Sequence, residues 1–308
     1  MWRKIVLLMV VVLVLAACGS EATPTPEAAT AVPAGRTLVL GDISDEAAET
    51  IRGTQPTADY LAAQLADMGI SGGTVKIAPD LDTMIQWIND GEVDIYFDSP
   101  YPVLVISDET GATPILRRFR FGVPEYHSVF FVPKDSEIDS LDDLVGKMVA
   151  FEEIFSTSGY MLPLSHLVEM SMNPVLKSTP ESDVAADEIG YVFSTADDTT
   201  VQWVISGKVP AGVVDNVSFS RLPADTQAQL KIIAATEDVP RQMVLVRAGM
   251  DVALVSAIRT ALLEMEQSEE GRAALEKFQT TEFAEFEEGA EVELARMRQL
   301  YELVQAEQ

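Results

Sequence analysis

The chain has 308 residues, 47% of them hydrophobic, enough for one large domain or two lobes with cores of their own. Lys and Arg total 21 against 49 Asp and Glu, a formal charge of −28. Such a surface repels nucleic-acid phosphates and anionic lipid headgroups, which disfavours DNA, RNA and basic-patch membrane functions; most of the excess acid is accounted for by solubility.

The N-terminus reads as a targeting segment. Arg3 and Lys4 form a positive region and IVLLMVVVLVL an apolar one, shorter than the ~20 residues that cross a bilayer. Leu15-Ala16-Ala17-Cys18 follows and resembles the bacterial lipobox, in which the cysteine is lipidated and becomes the first mature residue; Cys18 is the sole cysteine. A lone cysteine also excludes disulfides and cysteine-based zinc sites. The expectation is a signal peptide over residues 1–17 and lipid on Cys18, holding the protein on the outer face of the bacterial cell membrane, on its periplasmic side. Lipid is then the only attachment to the membrane. Residues 18–36, GSEATPTPEAATAVPAGR after the cysteine, lack the apolar residues of a core and read as an extended tether.

From Thr37 onward strand-like and helix-like segments alternate, the pattern of an α/β sheet with helices on its faces. RTLVLGDI is a strand ending near Gly41-Asp42; Thr54 and Pro56 open the helix PTADYLAAQLADMG; TVKIA is a strand; Asp80 caps DLDTMIQWIND; VDIYF is a strand. The pattern restarts with YHSVFFV, a DLVGK turn, MVAF, a helix around LPLSHLVEM, EIGYVF, a helix around TTVQWVISG, and AGVVD. LKIIAA and QMVLVRAG follow, then two long amphipathic helices, the second with Leu294, Met297, Tyr301 and Val304 on one face. Two such units imply two lobes, one from residues 37–121 and 240–308 and the other from 122–239.

Between MVAF and LPLSHLVEM lies FSTSG, Phe155 to Gly159, where a strand turns into a helix. Helix-start N–H groups accept anions without any basic residue, Ser156, Thr157 and Ser158 add hydroxyl donors, and Gly159 admits close approach. The same hydroxyls also suit simple helix capping. Pro163 requires the first turn to be irregular or separate from the helix, because it would remove an interior hydrogen bond.

YHSVFFVPKDSEIDSLDDLVGKMVAFEEIFSTSGYMLPLSHL resembles the core signature of phosphate, phosphite and phosphonate ABC-transporter solute-binding proteins, which carry a Tyr-x-Ser strand, a Ser-Leu-x-Asp-Leu turn and Ser-Thr-Ser-Gly. QPTADYLA, GEVDIYFDSP, WVISGKVPAGVVD and IIAATEDVPRQMVLVR resemble further family segments, in order, over most of residues 37–280. The resemblance implies a two-lobed type II periplasmic-binding-protein fold, each lobe a mixed sheet flanked by helices, closing on a small ligand. It implies that Ser156, Thr157 and Ser158 hold phosphonate or phosphate oxygens, while Tyr126 and Ser128 match the Tyr-x-Ser strand near the hinge, where packing is an equal role. Its partners are a small oxyanion-bearing or zwitterionic solute and an ABC permease with its ATPase, with no cofactor and a monomeric chain.

Several positions depart from the family pattern. Gln55 stands where an aromatic residue often precedes the proline of the first helix, Asp98-Ser99-Pro100-Tyr101 where Gly-Pro is common, and Thr195-Ala196-Asp197-Asp198 where many members read Gly-Ser-His. Asp98, Asp197 and the strand-end Asp215 would repel a bare dianion and suit a ligand with a cationic arm, or they are ordinary caps and loop acids. The same fold with a non-phosphorus solute, such as a sulfonate, an amine or a vitamin precursor, or a lipoprotein sensor, are the alternatives. No catalytic or metal motif is present: Ser165 and His166 diverge on a helix, His127 faces away from Tyr126, and Glu152 and Glu153 point to opposite sides of a strand end.

Overall fold

The computed structural model describes residues 35–44 and 46–306; the signal peptide, Cys18 and most of the tether expected from the sequence lie outside the described residues. Leu38 and Leu40 alternate with more exposed residues along β1 (Arg36–Ile43), the period of a strand with one face against a core. Next come α1 (Ala47–Gln64), β2 (Ile70–Ala78), α2 (Leu81–Asn89), β3 (Ile95–Asp98), α3 (Pro100–Thr110) and β4 (Thr113–Arg120). The chain then crosses through β5 (Glu125–Tyr126) into β6 (Ser128–Pro133) and β7 (Met148–Phe151). The turn Thr157–Met161 leads into α4 (Leu162–Glu169), followed by β8 (Pro174–Leu176), β9 (Ile189–Phe193) and α5 (Asp197–Ile205). β10 (Ala211–Asp215), α6 (Asn216–Arg221), α7 (Ala224–Gln227) and β11 (Leu230–Ala235) complete that sheet. β12 (Val239–Pro240) returns the chain to β13 (Gln242–Val246), α8 (Val252–Leu263), α9 (Glu269–Lys277), β14 (Thr280–Ala284) and α10 (Ala290–Ala306).

These strands make two six-stranded mixed sheets, in the orders β14-β4-β13-β3-β1-β2 and β11-β6-β10-β7-β9-β8. β1 runs parallel to β2 and β3, and β7 runs parallel to β9 and β10. β5 and β12 pair antiparallel, Tyr126 opposite Val239, forming a two-stranded ribbon where both chain crossings pass. One apolar core lies between the first sheet and α1, α8 and α9, and another lies in the second lobe against α5. The largest cluster joins both lobes through α3, α4 and Leu294, Met297, Leu300 and Val304 of α10. Arg296 of α10 reaches Glu169 at 2.8 Å and Glu237 at 2.6 Å, while Arg298 reaches Asp108 at 2.8 Å, so this helix is tied to both lobes.

Two local outcomes differ from the sequence expectations or sharpen them. α1 begins at Ala47 and carries Pro56 in its interior, rather than opening at Thr54 and Pro56. The proline forfeits one helical hydrogen bond, and packing offsets it: Gln55 Nε2 donates to the Gly73 carbonyl at 3.0 Å, and a Cβ on Gly53 would lie 3.3 Å from the Lys277 carbonyl. Pro163 occupies the first turn of α4, where a missing N–H costs nothing, and the preceding turn is a separate widened π turn.

Candidate ligand-binding site

In each sheet the parallel strands end at the same edge, and both edges face one cleft of about 1120 Å³. The first lobe supplies Asp42 from the end of β1, Asp98 from the end of β3, and Arg118 and Arg120 from β4. The second lobe supplies Glu152, Ser156 and Ser158 from the segment after β7, Asp197 at the start of α5, Asp215 at the end of β10 and Ser218. Tyr126 and Arg241, beside the β5–β12 ribbon, lie between them, the Arg241 guanidinium 4.2 Å above the Tyr126 ring centre.

Of the residues singled out in the sequence, Asp98, Ser99, Tyr126, Ser156, Ser158, Asp197 and Asp215 line this cleft; Gln55, Tyr101, Ser128, Thr157 and Gly159 do not. Ser156 caps the turn, its Oγ accepting from the Gly159 N–H at 2.9 Å. Thr157 is 1% exposed. Its hydroxyl oxygen accepts from the Tyr101 N–H at 2.8 Å and donates to Ser99 Oγ at 2.9 Å, a link from the second lobe to the first behind the cleft. Ser128 donates to the Ser158 carbonyl at 2.6 Å. Tyr101 packs against Tyr160 and Tyr301. Gln55 donates to Asp59 within α1 and to the Gly73 carbonyl of β2. Asp215 caps α6, accepting from the Val217 and Ser218 N–H groups at 2.8 and 3.0 Å and from the Ser218 hydroxyl at 2.6 Å.

The Ser156–Gly159 turn already faces a carboxyl group of the protein's own, that of Glu152. A Cβ on Gly159 would lie 2.3 Å from Glu152 Cβ and 2.7 Å from its Oε2, so Gly159 is bare because the Glu152 side chain lies across it. Glu152 also bonds the Ser156 hydroxyl. Glu152 and Glu153 both line the cleft, although strand geometry assigns them opposite sides; β7 ends at Phe151, and the alternation ends with it.

Sequence reading did not single out Arg118, Arg120 or Arg241, nor the cleft-facing roles of Asp42 and Glu152. Arg118 is 5% exposed and donates to Thr280 Oγ1, Gln242 Oε1 and the Phe278 carbonyl at 2.8, 2.7 and 2.6 Å. Arg120 and Arg241 differ: among the described residues neither side chain makes a hydrogen bond or ion pair, and the Nε of each is buried without a partner. Burial, and then the neighbouring Arg241 charge, lower the Arg120 pKa.

Four of the cleft carboxyl groups, Asp42, Asp98, Glu152 and Asp197, are held toward their neutral forms. Burial, then repulsion from Asp98, raises Asp42 to about 6 against the pull of Arg118 and Arg120. Burial raises Asp98 although Tyr96 and Ser99 hydrogen bond to it. Burial, then Glu152 and Asp215, raises Asp197 to about 7, with Ser218 and Arg241 acting the other way. Burial raises Glu152 as well.

A family described as "ABC transporter, phosphonate, periplasmic substrate-binding protein" matches residues 41–289. The chain belongs to this phosphonate-binding-protein family. It is a family of transport receptors rather than of enzymes. This phosphonate-binding-protein relative is 28% identical over 210 residues to the phosphate-import protein PhnD of Mycolicibacterium smegmatis, an alignment that takes in 66% of this chain and spans 61% of PhnD's length. It is 28% identical to XAC2383 of Xanthomonas citri, covering 88% of this chain, in a structure bound to chloride (TM-score 0.82, 98% of that chain) and in one bound to ATP (0.81, 97%). PhnD1 of Prochlorococcus marinus, in complex with methylphosphonate, shares the fold at 15% identity (TM-score 0.65, 86% of this chain and 96% of that one). The architecture is the two-lobed type II periplasmic-binding-protein fold.

Proposed function

We propose that this protein is the extracytoplasmic receptor of an ABC importer, capturing a small oxyanion-bearing solute between its lobes and presenting it to a permease with its ATPase. The observation that carries this reading is the pair of guanidiniums, Arg120 and Arg241, lining the cleft with no hydrogen bond or ion pair from their side chains among the described residues. A buried donor left unsatisfied is costly, and an oxyanion is the complement of a guanidinium fork. The family membership and the anionic ligands of XAC2383, chloride and ATP, support the same reading. Closure about the β5–β12 ribbon would bury the solute and give the permease a conformer to recognise.

Calorimetry on protein freed of bound solute, with phosphate, phosphite, methylphosphonate, 2-aminoethylphosphonate and ATP, checks it. Binding by at least one, with compaction in small-angle scattering, is expected; binding by none overturns the oxyanion assignment.

The reading includes lipid attachment at Cys18, supported by the LAAC motif and the apolar run before it. Cys18→Ala is expected to move the protein from the membrane fraction to the soluble fraction, and a variant that stays membrane-bound sinks the anchor.

A further inference from the structure

Beyond Arg120, at the end of β4, the chain reverses through Phe121 and Gly122, whose φ angles are 58° and 75°. Arg120 and Val123 pair across them, so these two are the central residues of a tight hairpin turn, positions that require positive φ and usually carry Asn and Gly. Gly122 suits its place. A bulky residue such as Phe121 is rare in the left-handed region and costs free energy there. The Phe121 N–H donates to the Gln279 carbonyl at 2.7 Å, just before β14, which holds the turn to the first lobe. Backbone preference therefore does not account for a ring at this position. The ring lines the cleft and meets a guanidinium from each lobe. That of Arg120, in the first lobe, lies 5.0 Å from the ring centre. That of Arg221, at the end of α6 in the second lobe, lies 3.8 Å from it. Arg221 is exposed, so burial does not force it onto the ring.

We propose that Phe121 and Arg221 are positioning residues for solute capture: they form a clasp between the lobes that is made when the cleft closes and broken when it opens. The inference rests on closure of the lobes and not on the chemistry of the solute. A guanidinium over an aromatic face is attracted by the ring quadrupole, and an exposed one is hydrated again as soon as the contact parts. The clasp can therefore open without stranding a buried charge, as a contact remade in every cycle of capture and release requires. The other ties between the lobes are of a different kind. Thr157 bonds Tyr101 and Ser99 in the interior, and the apolar cluster through α10 is buried, so separating either exposes or orphans groups at greater cost. The same ring also neighbours Arg120, which the oxyanion reading gives to the solute, so the bound solute and the clasp converge on one side chain.

Pulsed dipolar spectroscopy tests this, with nitroxide labels on Asp67→Cys in the first lobe and Glu181→Cys in the second, both exposed, in a full-length Cys18→Ala background that lacks the native cysteine. With the clasp intact, the labels are expected to show two separations, one of them that of this structure. Arg221→Gln and Phe121→Leu are each expected to lower the closed-to-open ratio about 2- to 5-fold, the scale of an exposed cation–π contact. The double variant should fall no further than either single one, since both remove the same contact. Phe121→Tyr keeps the ring and should close as the unsubstituted protein does. An unchanged ratio in Arg221→Gln, single effects that add in full, or Phe121→Tyr behaving like Phe121→Leu overturns the clasp and leaves lobe closure standing. A single separation in every protein, with phosphate, methylphosphonate and ATP added in turn, overturns closure and the clasp together.

Discussion

Arg118→Met is expected to lower the stability of the protein by about 1 to 3 kcal/mol, the range for leaving buried neutral acceptors without their donor. The substitution keeps much of the stem volume, so the loss is chemical rather than a cavity. The acceptors on Thr280 and Gln242 lose the donor that satisfies them in the interior, and the Phe278 carbonyl is left with the Thr280 hydroxyl alone. The guanidinium also lies 3.5 Å from the Phe278 ring centre, a stacked contact that methionine does not reproduce. Those partners lie on β13, on β14 and at the end of α9, so Arg118 fastens three segments that follow the second lobe in sequence onto β4, which precedes it. Asp42 and Asp98 would lose a nearby positive charge as well. Urea unfolding at neutral pH measures the change, and a midpoint equal to that of the wild-type protein refutes this account of the residue.

Asp197→Asn should act in the opposite direction, and only at higher pH. The Asp197 carboxyl has a pKa of about 7 in the folded protein against an ordinary 3.8, so the native chain holds this proton more tightly than the unfolded chain does. Its contribution to stability therefore falls as pH rises from about 4 to about 7, and above that it costs on the order of 2 to 4 kcal/mol. Asparagine cannot ionise and removes that cost. The two proteins are expected to be nearly equal near pH 4, with the variant more stable near pH 8 by about this amount. His166, whose pKa burial lowers, gives a trend of the other sign between those limits, as it remains neutral when folded and protonates when unfolded. Asp42 behaves like Asp197. Both groups are present in the two proteins, so the difference between them reports position 197 together with its neighbour Glu152. Parallel pH profiles for wild type and variant would falsify the assignment of strain to this carboxyl group.

The strands and helices with clear period and caps were legible in the sequence for physical reasons. Asp80 accepts from the Thr83 N–H at 2.8 Å, as its place before DLDTMIQWIND implies, and AGVVD ends in an aspartate that caps the next helix. The irregular turn before Pro163 followed from the missing amide alone. The start of α1 was not legible, because proline marks helix starts more often than interiors and the packing that holds it comes from distant segments. The cations of the cleft were hidden by a different rule. In TPILRRFR the arginines suggest a solvated edge, yet Leu116, Arg118 and Arg120 share one side of β4 and turn inward. Three arginines in four positions, in a chain with 49 acids against 21 bases, were the available signal. Ser-Thr-Ser-Gly specified a turn but not the direction of its hydroxyls, since Tyr101 and Ser99, to which Thr157 points, lie 56 and 58 residues earlier.

The position of β13 fixes an order of assembly. It lies between β3 and β4 in the first sheet, pairing with both, and the entire second sheet, from Ser128 to Ala235, precedes it in the chain. During synthesis the second lobe has all six of its strands before the first lobe has its middle one. Until Gln242–Val246 emerges, β3 and β4 have no neighbour between them and present open edges, the form of unfinished sheet most prone to pair with another chain. The lobe with the unpaired arginine of β4 is thus the one that forms last.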